Sequence, residues 1–443
     1  LKTSVSYKQV WEIAYPIIVG SVAQNVLNVT DTAFLGRLGE VALGAGAIGG
    51  LFYLAIIMLG WGFGIGTQII VARRFGEGVF RPIGRTIEHA QVFLLLLAFV
   101  LVFLVMVFGR DLMVTIIESG NVLEASVTFL NYRIWGLFFA FTHFSFRAFY
   151  VGIGRTRVIT GTTILMVLVN VFLDYSLIFG HFGFPRMGIA GAALASTIAE
   201  ISCTVAFIVF TLYKVDVKKY RLFNYRHFSA KLYVRMFKVS VPLMLQNFFS
   251  FAIWFLFFLI IEKMGETALA VSNIIRSVYV VMLIPIMGFA SATNTLVSFL
   301  IGQGRSNEVI PLIRRIAMLC MGAVLMLSTI CMLFPHAVLL VYTNDPILLA
   351  ASKPVLYIVA IAAIFLASAL VIFNGVSGTG RTGISFAIES VILIFYLLFS
   401  YFVALVIDLP LAVVWSVEIF YGIFLSIISF IYLKSNRWVG KGV

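Results

Sequence analysis

"GIGRT", residues 152–156, returns as "GTGRT", residues 378–382, at an offset of 226 positions. The same offset, with no gap, carries Pro16 to Pro242, Gly39-Glu40 to Gly265-Glu266 and Ala42-Leu43 to Ala268-Leu269. It also carries Gly62-Phe63 to Gly288-Phe289, Thr67 to Thr293, and Gly76 and Gly78 to Gly302 and Gly304. Matches of this density do not arise by chance. The chain is two copies of one unit.

The unit is made for lipid. Of 443 residues, 62% are hydrophobic and 11% charged, against roughly 25% charged in a soluble domain. No soluble core could hide that much apolar surface. A membrane-spanning helix takes about 20 mostly apolar residues. Gly, Pro and charge clusters divide the chain into twelve such runs: 10–36, 46–72, 86–109, 127–152, 157–181 and 187–213, then 236–261, 268–300, 311–335, 352–378, 382–408 and 411–433. The expected fold is an all-α integral membrane protein of twelve transmembrane helices in two parallel six-helix repeats. Its expected parts are an N-terminal bundle, 1–213, a cytoplasmic basic linker, 214–235, and a C-terminal bundle, 236–443. Six spans per half give both halves the same orientation, and such repeats are related by an axis along the membrane normal. Two facing bundles create a central cleft, and rocking them about it gives alternating access. "GxGRT" is then the turn between the fourth and fifth spans of each half. Gly permits the tight turn, and Arg faces the anionic leaflet.

The net charge of +13 would suggest a nucleic-acid partner in a soluble protein. Here the basic residues occupy short gaps between apolar runs, where they set membrane orientation. Of the 31 Lys and Arg, 23 fall on one side, including Arg73, Arg74, Arg155, Arg157, Arg226 and Arg381 and the terminal Lys2, Lys8, Lys434, Arg437 and Lys441. The opposite loops hold Arg37, Arg110, Arg133, Arg186, Lys263 and Lys353. Both termini and the linker are therefore expected in the cytoplasm, with the chain in the inner (plasma) membrane. Cys203, Cys320 and Cys331 sit inside apolar runs without CxxC or Cys/His spacing, so neither a disulfide framework nor a metal cluster is expected. The opening residues lack a separate apolar segment with a small-residue cleavage site, so no signal peptide is expected. No HExxH, GxSxG or aspartate-rich prenyl-diphosphate motif is present, which argues against an enzyme.

Where the two copies differ, chemistry is expected. Asp31 in the first span faces Phe257 in the alignment of the halves, Asp174 in the fifth faces Ser400, and Asn170 faces Tyr396. Ionisable groups in a membrane interior are costly and usually functional. Ser21, Gln24, Asn28 and Asp31 recur at helical spacing on one face, a face expected to line the bundle interior or the cleft. Asn170 and Asp174 also share a face, and both spans run outward, so Asp31 and Asp174 lie at similar depth. Two carboxylates and an amide can share a proton, or hold a small hard cation such as Na+ with oxygen ligands. Ser196 and Glu200, four apart in the sixth span, could complete that site or relay protons. Gln246, Asn247, Asn273 and Arg276 are the matching candidates for facing the cleft from the C-terminal half. Pro16 removes a backbone bond early in the first span, where a bend could couple to the charge on Asp31.

These features together resemble the multidrug and toxic compound extrusion (MATE) family. The resemblance rests on the helical repeats, on Pro16 followed by "DTAFLGRLG" (31–39), and on "TQIIVARRFGEG", "GIGRT", "NVFLDYSLIFG" and "MGIAGAALAS". It implies a V-shaped fold with a cleft between the halves, and efflux of amphipathic or cationic organic compounds in exchange for H+ or Na+. Within the family the chain is similar to the DinF-type prokaryotic branch. That similarity implies a cation site of Asp31, Asn170, Asp174 and Ser196 or Thr197, and a bend of the first helix at Pro16. The NorM-type branch also uses acidic residues in the seventh and tenth helices, and the tenth here has none. The expected partners are small organic substrates and the lipid bilayer, with no nucleic acid, no cofactor beyond the coupling ion, and a monomeric state. The competing expectation is a flippase for lipids or lipid-linked saccharides from the wider superfamily. Few basic residues lie within the spans, which argues against an anionic headgroup.

Overall fold

The structure, a computed structural model, describes residues 6–225 and 229–440. Lys2, Arg226 and Lys441 of the charge pattern lie outside the described residues. Among those residues the chain forms helices and turns and no strand. The first half runs α1 (Tyr7–Leu38), α2 (Glu40–Gly76), α3 (Arg81–Ile116), α4 (Gly120–Arg133), α5 (Leu137–Gly152), α6 (Arg157–Phe179), α7 (Ile189–Lys214) and the short α8 (Val217–Tyr220). The second runs α9 (Ala230–Glu262), α10 (Glu266–Gly302), α11 (Val309–Leu333), α12 (Pro335–Leu340), α13 (Pro346–Gly378), α14 (Thr382–Tyr401), α15 (Leu411–Trp415) and α16 (Val417–Lys434). Among the described residues, eleven helical stretches are long and apolar enough to cross a membrane. The fourth expected span is also present, as α4 and α5 joined by a 3-10 turn at Ile134–Gly136. The all-helical membrane architecture read from the sequence is what the structure shows.

The repeated motif has a repeated geometry. α5 ends at Gly152 and α13 at Gly378, and the next glycines, Gly154 and Gly380, take the left-handed backbone at φ +73° and +85°. L-residues with a Cβ disfavour that region, so glycine closes the turn in both copies. The first glycine of each motif serves a different purpose. A Cβ on Gly152 would sit 2.6 Å from Val71, and one on Gly378 would sit 3.0 Å from Val297. Val71 and Val297 are themselves 226 residues apart. The motif therefore fixes the turn and also the close approach of α5 to α2 and of α13 to α10.

By its packing the chain divides into two compact units, one of Val19–Met244 and one of Leu1–Ile18 together with Leu245–Val443. The two division points, Ile18 and Met244, are again 226 residues apart. Each cuts a continuous helix, α1 or α9, two residues after its proline, Pro16 or Pro242. In the unit holding Leu245–Val443, the Trp11 ring packs on Phe289 at 6.0 Å. In the other unit, their repeat counterparts Phe237 and Phe63 pack at 6.1 Å. Gly288 leaves room for Ile18, and Gly62 leaves room for the backbone of Leu243 and Met244. The opening turns of α1 and α9 thus belong to the unit built from the other repeat.

The segment after α7 is packed against Val19–Met244. Tyr220 is buried with its ring edge-on to Phe80 and Phe149. Beyond it, the Asn224 backbone N–H donates to Glu88 and the Tyr225 hydroxyl donates to Gln91 at 2.7 Å.

Candidate functional site

A small apolar cluster sets the register of three helices in Val19–Met244. Leu35 of α1, Ile178 of α6 and Ala192 of α7 are buried together, with Phe34, Leu38, Phe179 and Ile189 around them. Gly191 allows the close approach here, since a Cβ would sit 2.7 Å from the Leu177 carbonyl. Leu35 lies one turn beyond Asp31, Ile178 one turn beyond Asp174, and Ala192 one turn before Ser196. Packing the three apolar residues therefore lines up the three polar ones a turn away.

Asn170 and Asp174 are fully buried on α6, and Asp31 is half-buried on α1. The orientation of the Asn170 amide follows from its neighbours. Its nitrogen donates to Asp31 Oδ1 at 2.9 Å and Asp174 Oδ2 at 3.2 Å, and its oxygen accepts from Ser196 Oγ at 3.2 Å. The Asn170 amide thus bridges the two carboxyls. Two ionised carboxylates held on one amide repel each other, which favours one bound proton. Asp174 Oδ1 is buried without a hydrogen-bond partner. The arrangement can hold a proton, and can hold a hard cation if the amide turns its oxygen inward.

Glu200, expected beside this site, is held in an ion pair. Arg133 meets it in a fork, with Nη2 to Oε1 at 2.6 Å and Nη1 to Oε2 at 2.9 Å. The Arg133 guanidinium stacks over the Tyr53 ring at 3.8 Å. It also donates to the Tyr53 hydroxyl at 3.0 Å, and that hydroxyl donates to Glu200 Oε2 at 3.2 Å. A Cβ on Gly136 would collide with both charged groups. The charge pattern puts Arg133 in an outer loop; the structure puts it at the end of α4, within the span, because Glu200 neutralises it there. It lies close enough to interact electrostatically with Asp31.

The other expected site residues separate. Of the two neighbours in α7, Ser196 meets Asn170, while the Thr197 hydroxyl shares its hydrogen between the backbone carbonyls of Ala193 and Tyr132. Gln24 is half-buried and Asn28 exposed. In Leu245–Val443, Asn273 donates to the Leu269 carbonyl at 3.0 Å and Arg276 lies over the Phe258 ring at 5.3 Å. Gln246 and Asn247 are half-buried on α9. α1 passes through Pro16 as one helix. Two participants, Tyr53 and Arg133, are not singled out by sequence reasoning. Tyr53 carries a signal that could have found it, since its repeat counterpart is Tyr279.

Comparison with known proteins adds four findings. The family model described as MatE matches residues 16–176 and again 242–402, two stretches displaced by 226. The "Probable multidrug resistance protein NorM" of Thermotoga maritima is 27% identical over 380 residues, 85% of this chain and 80% of that protein. The protein of the same name from Synechocystis sp. is 27% identical over 345 residues, 76% of this chain and 73% of that one. Among solved structures, a MATE protein crystallised in complex with MaL6 superposes with a TM-score of 0.89 at 19% identity, covering 97% of this chain and 96% of that one.

Proposed function

This chain belongs to the MatE family, and from that membership we propose that it is a secondary active exporter of amphipathic or cationic organic compounds. Members of the family are membrane transporters rather than enzymes. Export of drug-like compounds is supported by the multidrug-resistance relatives in Thermotoga maritima and Synechocystis sp.. The coupling ion is H+ or Na+, and alternating access carries substrate outward. The chain lies in the inner (plasma) membrane with both termini cytoplasmic, and acts as a monomer.

The observation that carries the coupling site is the buried Asn170 amide bridging the two carboxyls of Asp31 and Asp174. Binding a cation there changes the local charge by one in a setting where charge is expensive. Such a site strongly prefers whichever conformation leaves the charge neutralised. A proton fits with no rearrangement. Na+ requires the Asn170 amide to rotate, so that its nitrogen instead of its oxygen meets Ser196 Oγ. The N-terminal position of the acidic pair supports the DinF-type branch.

The test is efflux of a fluorescent cationic dye from proteoliposomes under imposed H+ or Na+ gradients, comparing wild type with Asp31→Asn. Gradient-driven efflux in the wild type, lost in a variant that still folds, is the expected result. An Asp31→Asn protein that keeps coupled efflux overturns the site. A wild type that moves no dye under either gradient overturns the exporter reading for such substrates and directs attention to lipid flipping.

A further inference from the structure

The unit containing Leu245–Val443 buries two carboxyls of its own, Glu389 on α14 at 5% exposure and Glu418 on α16 at 2%. Glu418 Oε1 accepts from the Tyr396 hydroxyl and Oε2 from the Tyr279 hydroxyl, each at 2.8 Å. Glu389 Oε1 lies 2.9 Å from both Ser250 Oγ and the Tyr421 hydroxyl. Glu389 Oε2 is buried without a hydrogen-bond partner. Tyr421 interacts electrostatically with both glutamates.

The repeat shows what is missing. Tyr279 is the counterpart of Tyr53, and each bonds a glutamate from the last spanning helix of its own half, Glu418 or Glu200. Arg133, which neutralises Glu200, has Val359 as its counterpart. Among the described residues, neither Glu389 nor Glu418 forms an ion pair. The titratable groups that face the two carboxyls are Tyr279 from α10, Tyr396 from α14 and Tyr421 from α16. α9 contributes Ser250, α15 carries no ionisable residue, and no ionisable residue of α13 interacts with either carboxyl. Arg276, on α10, lies over Phe258.

The hydrogen bonds at Glu389 converge on one of its two oxygens. Ser250 Oγ is 2.8 Å from the Gln246 carbonyl and 2.9 Å from Glu389 Oε1, but it has one hydrogen. That hydrogen is shared between the carbonyl and the carboxyl, and the Tyr421 hydroxyl donates to the same Oε1. A neutral acid accounts for the bare Oε2, because a buried charged oxygen without a partner and without an ion pair is strongly disfavoured.

We propose that Glu389 is a second proton-binding site in the C-terminal half, and that it exchanges its proton during transport. The bound proton rests on the geometry above; its exchange in the cycle rests on the exporter reading. Infrared titration of the purified full-length protein in lipid is the first test. A protonated-carboxyl C=O band that disappears on raising the pH in wild type, and is missing in Glu389→Gln, is the expected result. Asp31→Asn should keep this band, and Tyr421→Phe should shift it, giving a second reading if Glu389→Gln folds poorly. A Glu389→Gln spectrum with the wild-type band overturns the site. The second test is the pH profile of dye efflux, which should flatten in Glu389→Gln; an unchanged profile overturns the exchange. Should wild type show no gradient-driven efflux, the exporter reading fails while the infrared band still decides the site.

Discussion

Arg133 and Glu200 show how a single side chain decides what its neighbour can do. Removing one member of a buried ion pair leaves the other charge unpaired, at a cost of about 3–5 kcal/mol. Arg133→Met should therefore lower the thermal unfolding temperature in detergent markedly. Replacing both partners, Arg133→Met with Glu200→Leu, should recover most of the loss. If the single and double variants unfold together, the pair contributes nothing beyond packing. The neighbouring acidic pair was legible in the sequence, because Asn170 and Asp174 share a helix face and the first and fifth spans run in the same direction. The Arg133–Glu200 pair was not, since its members are 67 residues apart and an arginine near the outer end of a span reads as a loop charge. Choosing between Ser196 and Thr197 was also beyond the sequence. One residue turns a helix by about 100°, and the packing of Leu35, Ile178 and Ala192 sets that angle.

At the scale of elements, the repeat makes predictions in pairs. Gly154→Ala and Gly380→Ala each place a Cβ in a left-handed backbone, at a cost of roughly 1–2 kcal/mol. Each should lower the unfolding temperature by a similar amount, with the losses adding in the double variant because the sites are in separate units. A neutral effect at either position would show that the turn relaxes to another conformation. The turns and spans were legible because lipid enforces long apolar helices and glycine marks their ends. The break at Ile134–Gly136 was less so. It follows from the room that Arg133 and Glu200 require beside Gly136, a tertiary demand with no local signature.

For the whole molecule, the sequence repeats and the packed units do not coincide. The linear reading placed the halves at 1–213 and 236–443, whereas packing assigns the start of α1 to the second repeat's unit and the start of α9 to the first's. A chain cut between 225 and 229 therefore yields two fragments that each lack a part of their own unit. Expressed singly, neither should give a stable, detergent-resistant product; expressed together, they should copurify and restore dye efflux. Stable single fragments would show that the exchanged turns are dispensable. The exchange also imposes an order on biosynthesis. Trp11 leaves the ribosome 278 residues ahead of Phe289, the ring it packs on. At about 5–20 residues per second, that interval is on the order of tens of seconds. Through it, the face of Val10, Ile13, Ala14 and Ile17, buried in the finished structure, has no completed unit to join, so lipid or an insertion factor must shelter it. The first turns made are among the last to be built in, and translation paused soon after residue 244 would leave one finished unit trailing an unclaimed helix.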